Sequence, residues 1–482
     1  MGRVLYKTKS VNAKWIVSKN WLALMMVLSF SICLVSQGNA ASNVIKEAGG
    51  AQGRSSIKRK DVYFVQCKEN LDSSGLLQAA INSGKIVQIS SGNCLIRHPI
   101  FVPDSAVISG AGKSRTVIVV DDKFLKGGKG VFVAEEMTGV DRGADGPSFS
   151  SFAVSFSQPD VSRARDLIKY PPAFYLRNVR RFSISDLKIS QAIDGIDLRG
   201  DSGGSRMTNI DMSAYGVGID IDGARDSVRI EGLHFWPFGV SDRQYEIWNI
   251  GNQVSIRSAR CDDLHVGNLL QYGSRMQFTR SAQGTTFGEI GESNFDSFGR
   301  LEISGGSIVA SSMIFSSTRQ SDQALTMTGG YFRCSACVFS ATTRLQQAMI
   351  SVSGGKASSL QIMNGQFHAS GNMSLFSIDN ATAILVGNQF ELTGRSDVHT
   401  PLVEVRGEGR VSLIGNRVDD NGEHPGLFAH IGDKTQSVLA GNFAPNWLVQ
   451  YSSEDPVRLD DAAAVSQKFI DALSRMSRGV NN

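Results

Sequence analysis

The sequence predicts an all-β solenoid, in which short parallel strands stack turn upon turn along one axis. Two near-copies of one phrase, at 194–200 and 217–223, are offset by 23 residues, too few for a strand, a crossover helix and a return strand with their loops. Asn388, Asn416 and Asn442 each follow a glycine and recur at intervals of 28 and 26 residues. Such Gly-Asn pairs suit a sharp solenoid corner, where stacked amides hydrogen-bond from one turn to the next.

The repeated phrase also predicts which polar side chains are neighbours on the outside. Because side chains alternate between faces along a strand, Asp197 stacks on Asp220 and Arg199 on Asp222, about 4.8 Å apart at the backbone. Two close carboxylates repel, so one holds its proton at neutral pH while the other stays ionised, as an acid and a base require. We therefore predict Asp197, Asp220, Asp222 and Asp194 as catalytic residues. The alternative is a structural ladder of carboxylates neutralised by arginine or calcium.

Aromatic and basic residues follow in the next repeat. We predict that substrate is bound by Arg199, His234, Trp236, Arg243 and Trp248. Exposed rings stack on pyranose faces, and the polar groups beside them bind sugar hydroxyls. The alternative is that Trp236 and Phe238 are core residues of a wide turn.

The N-terminal segment predicts export. Residues 1–20 carry five basic and no acidic residues, an apolar run follows at 21–35, and a small-x-small sequence ends at Ala40, as in a signal peptide that spans 1–40. An uncleaved anchor is the alternative. Without 1–40, 44 Lys and Arg face 45 Asp and Glu, which gives no basic surface for nucleic acid. We expect a secreted or periplasmic protein, free of the membrane after cleavage, with a flexible polar leader at 41–60.

Five cysteines remain after cleavage, and export permits disulfides between them. Cys67 with Cys94 is the preferred pair, at the N-terminal end of the domain. Cys334 and Cys337 have the spacing of a redox motif but lie in a strand-rich repeat, so no catalytic role is predicted. Their pairing, and that of Cys261, stays open.

The first ordered segment carries a family resemblance. A short helix is predicted at 74–82, followed by closely spaced strands. Residues 77–81 (LQAAI), 84–89 (GKIVQI) and 108–118 (ISGAGKSRTVI) resemble the opening of the pectin-lyase-like superfamily, which includes pectate lyases, polygalacturonase relatives and phage tailspikes. The resemblance implies a right-handed parallel β-helix over 61–450, capped by a helix, and a surface for polysaccharides. The catalytic motifs of its polygalacturonases, alginate epimerases and pectate lyases are absent.

Two further segments depart from the repeats. Residues 121–170 are glycine-rich and predict a loop excursion from the solenoid wall. Asp141 and Asp145 within it suit calcium, but a solvated loop is the preferred interpretation, so no metal or cofactor is predicted. At 451–482 an apolar stripe over 460–478 predicts a C-terminal capping helix and tail.

The sequence thus favours a glycoside hydrolase or polysaccharide lyase acting on an acidic exopolysaccharide or a cell-wall glycan. Two alternatives stay open: a non-catalytic glycan-binding or export factor, and a structural β-helix of the tailspike or adhesin type. The last would be a trimer, and the others suit a monomer.

Overall fold

The chain forms a parallel β-solenoid of about 15 turns. The computed structural model describes residues 61–125, 127–135, 146–297, 299–319, 323–343, 345–394, 399–420, 426–444, 447–452 and 457–458. The predicted signal peptide, the leader, the calcium ligands Asp141 and Asp145, and the helix at 460–478 lie outside these residues. Each complete turn visits three sheets in the order A, B, C, and each strand pairs in parallel with those of the turns before and after it.

The three sheets run the length of the solenoid, and five long strands bend from one sheet into the next. Sheet A contains Ile100–Phe101, Phe132–Glu135, Phe174–Arg177, Ile196–Arg199, the first parts of Val217–Phe235 and Val254–Gly267, then Arg275–Phe278, Arg300–Ile303, Leu325–Met327, Ile350–Val352, Phe376–Asp379, Val403–Arg406, Leu427–Ile431 and Leu448–Tyr451. Sheet B contains Val62–Val65, Ile86–Ile89, Val107–Ser109, the first parts of Ser148–Phe156, Ser183–Ala192 and Ser205–Ala214, the middle of Val217–Phe235, the end of Val254–Gly267, then Phe287–Gly291, Ser307–Ser311, Gly330–Ser335, Ser358–Met363, Thr382–Val386, Arg410–Ile414 and Gln436–Ala440. Sheet C contains Gly92–Ile96, Thr116–Val120, the ends of Ser148–Phe156, Ser183–Ala192, Ser205–Ala214 and Val217–Phe235, then Leu270–Tyr272, Asn294–Asp296, Ile314–Ser317, Val338–Ala341, Gln366–Ser370, Gln389–Thr393 and Arg417–Asp420.

The remaining elements are few. The helix Ser74–Asn82 has the predicted bounds, and it buries Leu77, Ala80 and Ile81 against the first strands. A second helix, Asp242–Asn249, connects sheet C to sheet A. The other elements are 3-10 turns at Ala164–Asp166 and Gly355–Ala357, an antiparallel hairpin of Arg280–Ser281 with Gly284–Thr285, and Val457–Arg458, which pairs antiparallel with Leu448–Tyr451.

Stacked apolar side chains fill the interior. The predicted register is confirmed, with Ile196 opposite Ile219 and Leu198 opposite Ile221. Under sheet C, one aromatic ring per turn forms a column whose successive centroids are 4.7, 4.8, 4.9 and 5.0 Å apart: Phe295, Phe315, Phe339, Phe367 and Phe390. Because each turn buries its apolar face only against its neighbours, stacking supplies the core.

The predicted asparagine ladder is present at the corner between sheets B and C. The side-chain amide of Asn388 donates to the Asn416 side-chain oxygen at 2.9 Å, and that of Asn416 donates to Asn442 at 2.9 Å. The preceding residues, Gly387 and Gly415, have φ of 64° and 62°, the left-handed conformation that glycine adopts without strain. The ladder thus satisfies corner amides that burial would otherwise leave unpaired.

The segment 121–170 differs from the prediction. Phe132–Glu135 pairs with Phe174–Arg177 in sheet A, and Ser148–Phe156 pairs with Ser183–Ala192 across sheets B and C. These strands are part of the solenoid wall and not a loop excursion. The alternation of Phe149, Phe152 and Phe156 with serines is the strand pattern that the glycine-rich flanks obscured.

The cysteines form two disulfides within the part of the chain that is described. Cys67 is joined to Cys94, the pair preferred from the sequence, with Cα atoms 5.1 Å apart. Cys334 is joined to Cys337 across the corner between sheets B and C. Cys261 is a buried free thiol, and burial raises its pKa to about 11.

Candidate functional site

The predicted acidic residues lie together on the outer face of sheet A. Asp197 is opposite Asp220 and Arg199 is opposite Asp222, as the repeated phrase predicts. The Asp197 side chain is only 6% exposed. The guanidinium of Arg199 binds both of its oxygens, with Nε 2.9 Å from Oδ1 and 3.1 Å from Oδ2 and with Nη2 also donating to Oδ2. This bidentate pair fixes the Asp197 carboxylate within its own strand.

Asp220 has a different arginine, from the next turn. The Nε of Arg257 lies 2.9 Å from Asp220 Oδ1, and its Nη2 lies 2.5 Å from Oδ2. The hydrogen bond to Asp220 raises the pKa of Arg257. Sequence reasoning missed Arg257, although it follows the inward Ile256 just as Asp220 follows Ile219. The repeat signal was lost because the second helix lengthens this turn.

The two arginines change the expected chemistry of the Asp197–Asp220 pair. Each carboxylate has its own guanidinium, which offsets the repulsion that was predicted to hold a proton on one of them. The structure therefore brings the pair together but gives each member its own arginine partner. The structural-ladder alternative, with arginine as the neutralising group, describes their contacts better.

Asp194 has the surroundings of an acid. It lies at the edge of sheet A, where its Oδ1 accepts a hydrogen bond from the Val217 amide at 2.8 Å. Burial raises the pKa of Asp194, the hydrogen bond from the Val217 amide and the charge of Arg257 oppose the rise, and the charges of Asp220 and Asp197 add to it. The surroundings of Asp194 therefore favour its protonated form.

Asp222 completes the patch. It is half-buried, and its Oδ1 is buried without a hydrogen-bond partner among the described residues. The four predicted carboxylates thus share one face, but their environments differ.

The aromatic residues form a separate corner cluster, which we define as His234, Trp236 and Phe238. His234 points outward from sheet C, and its ring centroid is 4.8 Å from Phe238 and 5.6 Å from Trp236. The loop that carries the rings is held by the Ser213 hydroxyl, which donates to the Phe238 carbonyl at 2.8 Å. All three rings are half-buried, so Trp236 is neither a fully buried core residue nor a fully exposed ring.

Charged residues adjoin this corner cluster. Asp211 Oδ1 lies 3.7 Å from His234 Nδ1, and Asp211 Oδ2 lies 2.9 Å from the Lys113 ammonium. Burial lowers the pKa of His234, with Asp211 opposing the shift and Lys113 adding to it. The Lys188 ammonium lies 5.2 Å from the Phe238 ring centroid.

Two predicted binding residues lie on the helix Asp242–Asn249. Trp248 is 0% exposed and its indole donates to the Tyr272 carbonyl at 3.0 Å, so the prediction that it forms part of an exposed sugar platform is wrong. Arg243 is exposed on the first turn of this helix. The helix itself was missed, and its signal was the capping box of Ser241 and Gln244.

The structure therefore divides the predicted site between two sheets. The carboxylates and Arg199 lie on sheet A, whereas His234 projects from sheet C and Trp236 from the loop that follows it. No group of three or more His, Cys, Asp or Glu residues suited to a metal ion occurs in the described part of the chain. Nor does any helix there have the length and apolarity to cross a membrane.

Known structures share the fold at low sequence identity. Pre-mature bacteriophage phi29 gene product 12 matches with a TM-score of 0.56 and 13% identity, covering 80% of this chain and 56% of the phage protein. Bacteriophage CBA120 tailspike protein 3 matches with a TM-score of 0.42 and 13% identity, over 81% of this chain and 60% of that one. The catalytic unit of a GH87 α-1,3-glucanase from Streptomyces thermodiastaticus has a TM-score of 0.42 and 13% identity, over 81% and 69%.

No protein-family profile and no curated protein matches the sequence. This chain spans little more than half of the phi29 protein, and at 13% identity the likeness concerns the fold alone. Together with the strand pairing, it shows that the chain folds as a parallel β-helix, as the sequence resemblance implied.

Proposed function

We propose that the outer face of sheet A binds an extended polysaccharide. The observation that carries this proposal is a line of outward polar side chains, one from each turn from Tyr175 onward, which we call the polar row. Its members are Tyr175, Asp197, Asp220, Arg257, Gln277, Glu302, Thr326, Ser351, Ser377, Glu404, His430 and Gln450. Successive members are spaced by about 4.8 Å, and each one has a polar group for a ligand hydroxyl.

Within the described strands, the sheet A line carries apolar side chains only before Tyr175, at Phe101 and Val133, whereas the lines of the other two sheets include exposed aliphatic side chains alongside polar ones. The corresponding outward line of sheet B includes Val309, which is 42% exposed, and that of sheet C includes Ile314, which is 43% exposed. Aliphatic side chains offer a sugar hydroxyl no hydrogen bond. The contrast between the sheets supports sheet A as the polymer-binding face.

The ion pairs within the polar row favour binding because they pre-orient their groups. The Gln277 side-chain amide donates to Glu302 at 2.7 Å, and Glu302 also pairs with Arg300 at 2.8 Å. Groups held in one geometry lose little conformational entropy when a ligand binds. Carboxylates and guanidinium groups that are already paired retain lone pairs and N–H groups for hydroxyls.

Binding is tested with a panel of acidic and neutral polysaccharides in affinity electrophoresis. Arg257→Met removes the guanidinium that orients Asp220, and we expect it to weaken binding by about tenfold, equivalent to roughly one charge-assisted hydrogen bond. Arg229→Met is the matched control, because Arg229 is an exposed arginine of sheet B. Equal binding by the two variants, with unchanged thermal unfolding, would contradict the proposal.

Cleavage of the bound polymer is a second candidate function, favoured by the raised pKa of Asp194. A protonated Asp194 would act as the general acid, with Asp220 or Asp222 as the base, in a hydrolase or a lyase. Asp194→Asn keeps an acceptor for the Val217 amide but has no acidic proton, so cleavage should fall by about 10²–10⁴-fold with binding retained. New reducing ends report hydrolysis and unsaturated uronate absorbance reports elimination. Unchanged turnover in the variant would exclude this role.

We also propose that the protein acts outside the cytoplasm. Its two disulfides, Cys67–Cys94 and Cys334–Cys337, are typical of an oxidising compartment. N-terminal sequencing of the protein from its native host tests cleavage after Ala40. A reduced, uncleaved protein in the cytoplasm would contradict export.

A further inference from the structure

An open groove lies on sheet A, away from the aspartate patch. It encloses about 800 Å³, within the range of sites for small ligands. Its floor is formed by Ser351 and Ser377 of the polar row, and its walls include the segments 345–348 and 372–374, which lead from sheet C back to sheet A. Ser351 is five strands from Asp220, which corresponds to about 24 Å along the axis.

The floor of the groove is ordered by one glutamine. The Gln323 side-chain amide donates to the Ser351 hydroxyl at 2.7 Å and to the Ala348 carbonyl at 3.2 Å. Its oxygen accepts from Thr326 at 3.3 Å. These bonds leave the Ser351 hydroxyl proton directed away from Gln323. The neighbouring Ser377 hydroxyl makes no side-chain hydrogen bond within the described residues.

The groove presents no uncompensated charge on its described lining. Its carboxylate, Glu404, lies 2.6 Å from the Arg406 guanidinium, and Arg406 Nε also donates to it at 3.0 Å. The exposed side chains of its lining are the neutral amides Gln346 and Gln347 and the guanidinium of Arg406, which is paired with Glu404. An acidic sugar would need a free cation here, whereas hydroxyl and amide groups match a neutral sugar.

We propose that this groove is a subsite for a neutral, hydroxyl-rich sugar unit of the bound polymer. The inference rests on the proposed function of sheet A and narrows its ligand to a chain that contains neutral hexoses at this position. Hydroxyls of such a sugar donate to and accept from Ser351, Ser377 and the wall glutamines. This ligand class differs from the acidic polysaccharide that the sequence favoured.

The test compares two serine variants and four polymers by isothermal titration calorimetry. Ser377→Tyr fills the groove floor, and Ser359→Tyr places the same ring on sheet B, where Ser359 is also a half-buried outward serine. The probes are laminarin and pullulan, which are neutral, and alginate and polygalacturonate, which are acidic. We expect the wild-type protein to bind a neutral polymer, with little dependence on salt because the polymer itself carries no charge.

The expected result is that Ser377→Tyr weakens neutral-polymer binding by about tenfold or more, and that Ser359→Tyr does not. Equal binding by the two serine variants overturns the groove assignment. If Arg257→Met still weakens polymer binding in that case, the proposed function of sheet A stands without the groove. Binding restricted to the acidic polymers overturns the ligand class. If the wild-type protein binds none of the four polymers, the subsite is overturned. If it also binds no polysaccharide of the wider panel, the proposed function is overturned as well.

Discussion

Substitution of Asn416 by alanine tests how the corner ladder holds the C-terminal turns. Asn416 is 1% exposed and joins three turns through its side chain. Its oxygen accepts from the Asn388 backbone amide at 3.0 Å and from the Asn388 side-chain amide at 2.9 Å. Its nitrogen donates to the Leu385 carbonyl and to Asn442, both at 2.9 Å. Alanine removes all four hydrogen bonds and leaves the partner groups of Asn388 and Leu385 buried and that of Asn442 half-buried.

The expected loss follows from this count. Each hydrogen bond contributes about 1 kcal/mol net, so Asn416→Ala should lower the free energy of unfolding by about 4 kcal/mol. Because each turn contacts only its neighbours, the loss should be concentrated in the turns around Asn416. The first half of the solenoid should keep its stability.

Denaturant unfolding measures the total loss, and hydrogen exchange with mass spectrometry locates it. The Asn388 amide, which donates to Asn416, should exchange much faster in the variant. Gln366→Ala is the control, because Gln366 is exposed on sheet C and its truncation should cost less than about 0.5 kcal/mol. A loss below about 1 kcal/mol in Asn416→Ala would refute the reasoning, since it would mean that water replaces the ladder.

Two further predictions concern the cysteines and one histidine. Replacing Cys67 and Cys94 by serine should lower the free energy of unfolding by about 3.5 kcal/mol, and replacing Cys334 and Cys337 should lower it by about 2 kcal/mol. The first disulfide closes the longer loop, since the sequence separations are 27 and 3 residues. Equal losses in denaturant unfolding would contradict this loop-entropy account. Burial lowers the folded-state pKa of His234 below its ordinary value of 6.5, so the folded state binds fewer protons and stability should fall as pH drops through about 6.5. The His234→Gln variant should lose that part of the pH dependence of unfolding, and an unchanged profile would exclude His234 as its source.

The solenoid could be predicted because its signal is repeated. The phrases at 194–200 and 217–223 gave the register of Asp197 on Asp220, since one strand period fixes every outward neighbour. The helix Ser74–Asn82 was recognisable from its apolar spacing and its glycine stop. Segment 121–170 was misinterpreted because its glycines, which flank two wall strands, were taken for loop punctuation.

The candidate site was less predictable than the fold, because the residues that pair with its carboxylates come from turns of irregular length. Arg257 is 37 residues from Asp220, well beyond the 23-residue offset, since a helix is inserted between them. The same helix turns Trp248 inward, which a strand-based alternation cannot anticipate. The groove over Ser351 depends on loops that follow no repeat, so only the three-dimensional arrangement brings its walls to the polar row.

The spacing of the polar row has a consequence for how a chain molecule would move on it. Polar groups that recur at one spacing offer hydrogen bonds again after a shift of one strand, so a long ligand can slide without first releasing the surface. Ser351 and Ser377 interrupt this regularity, because the segments 345–348 and 372–374 form walls beside these two members of the polar row. The walled positions would therefore act as the stop that selects one alignment of the polymer from many equivalent ones.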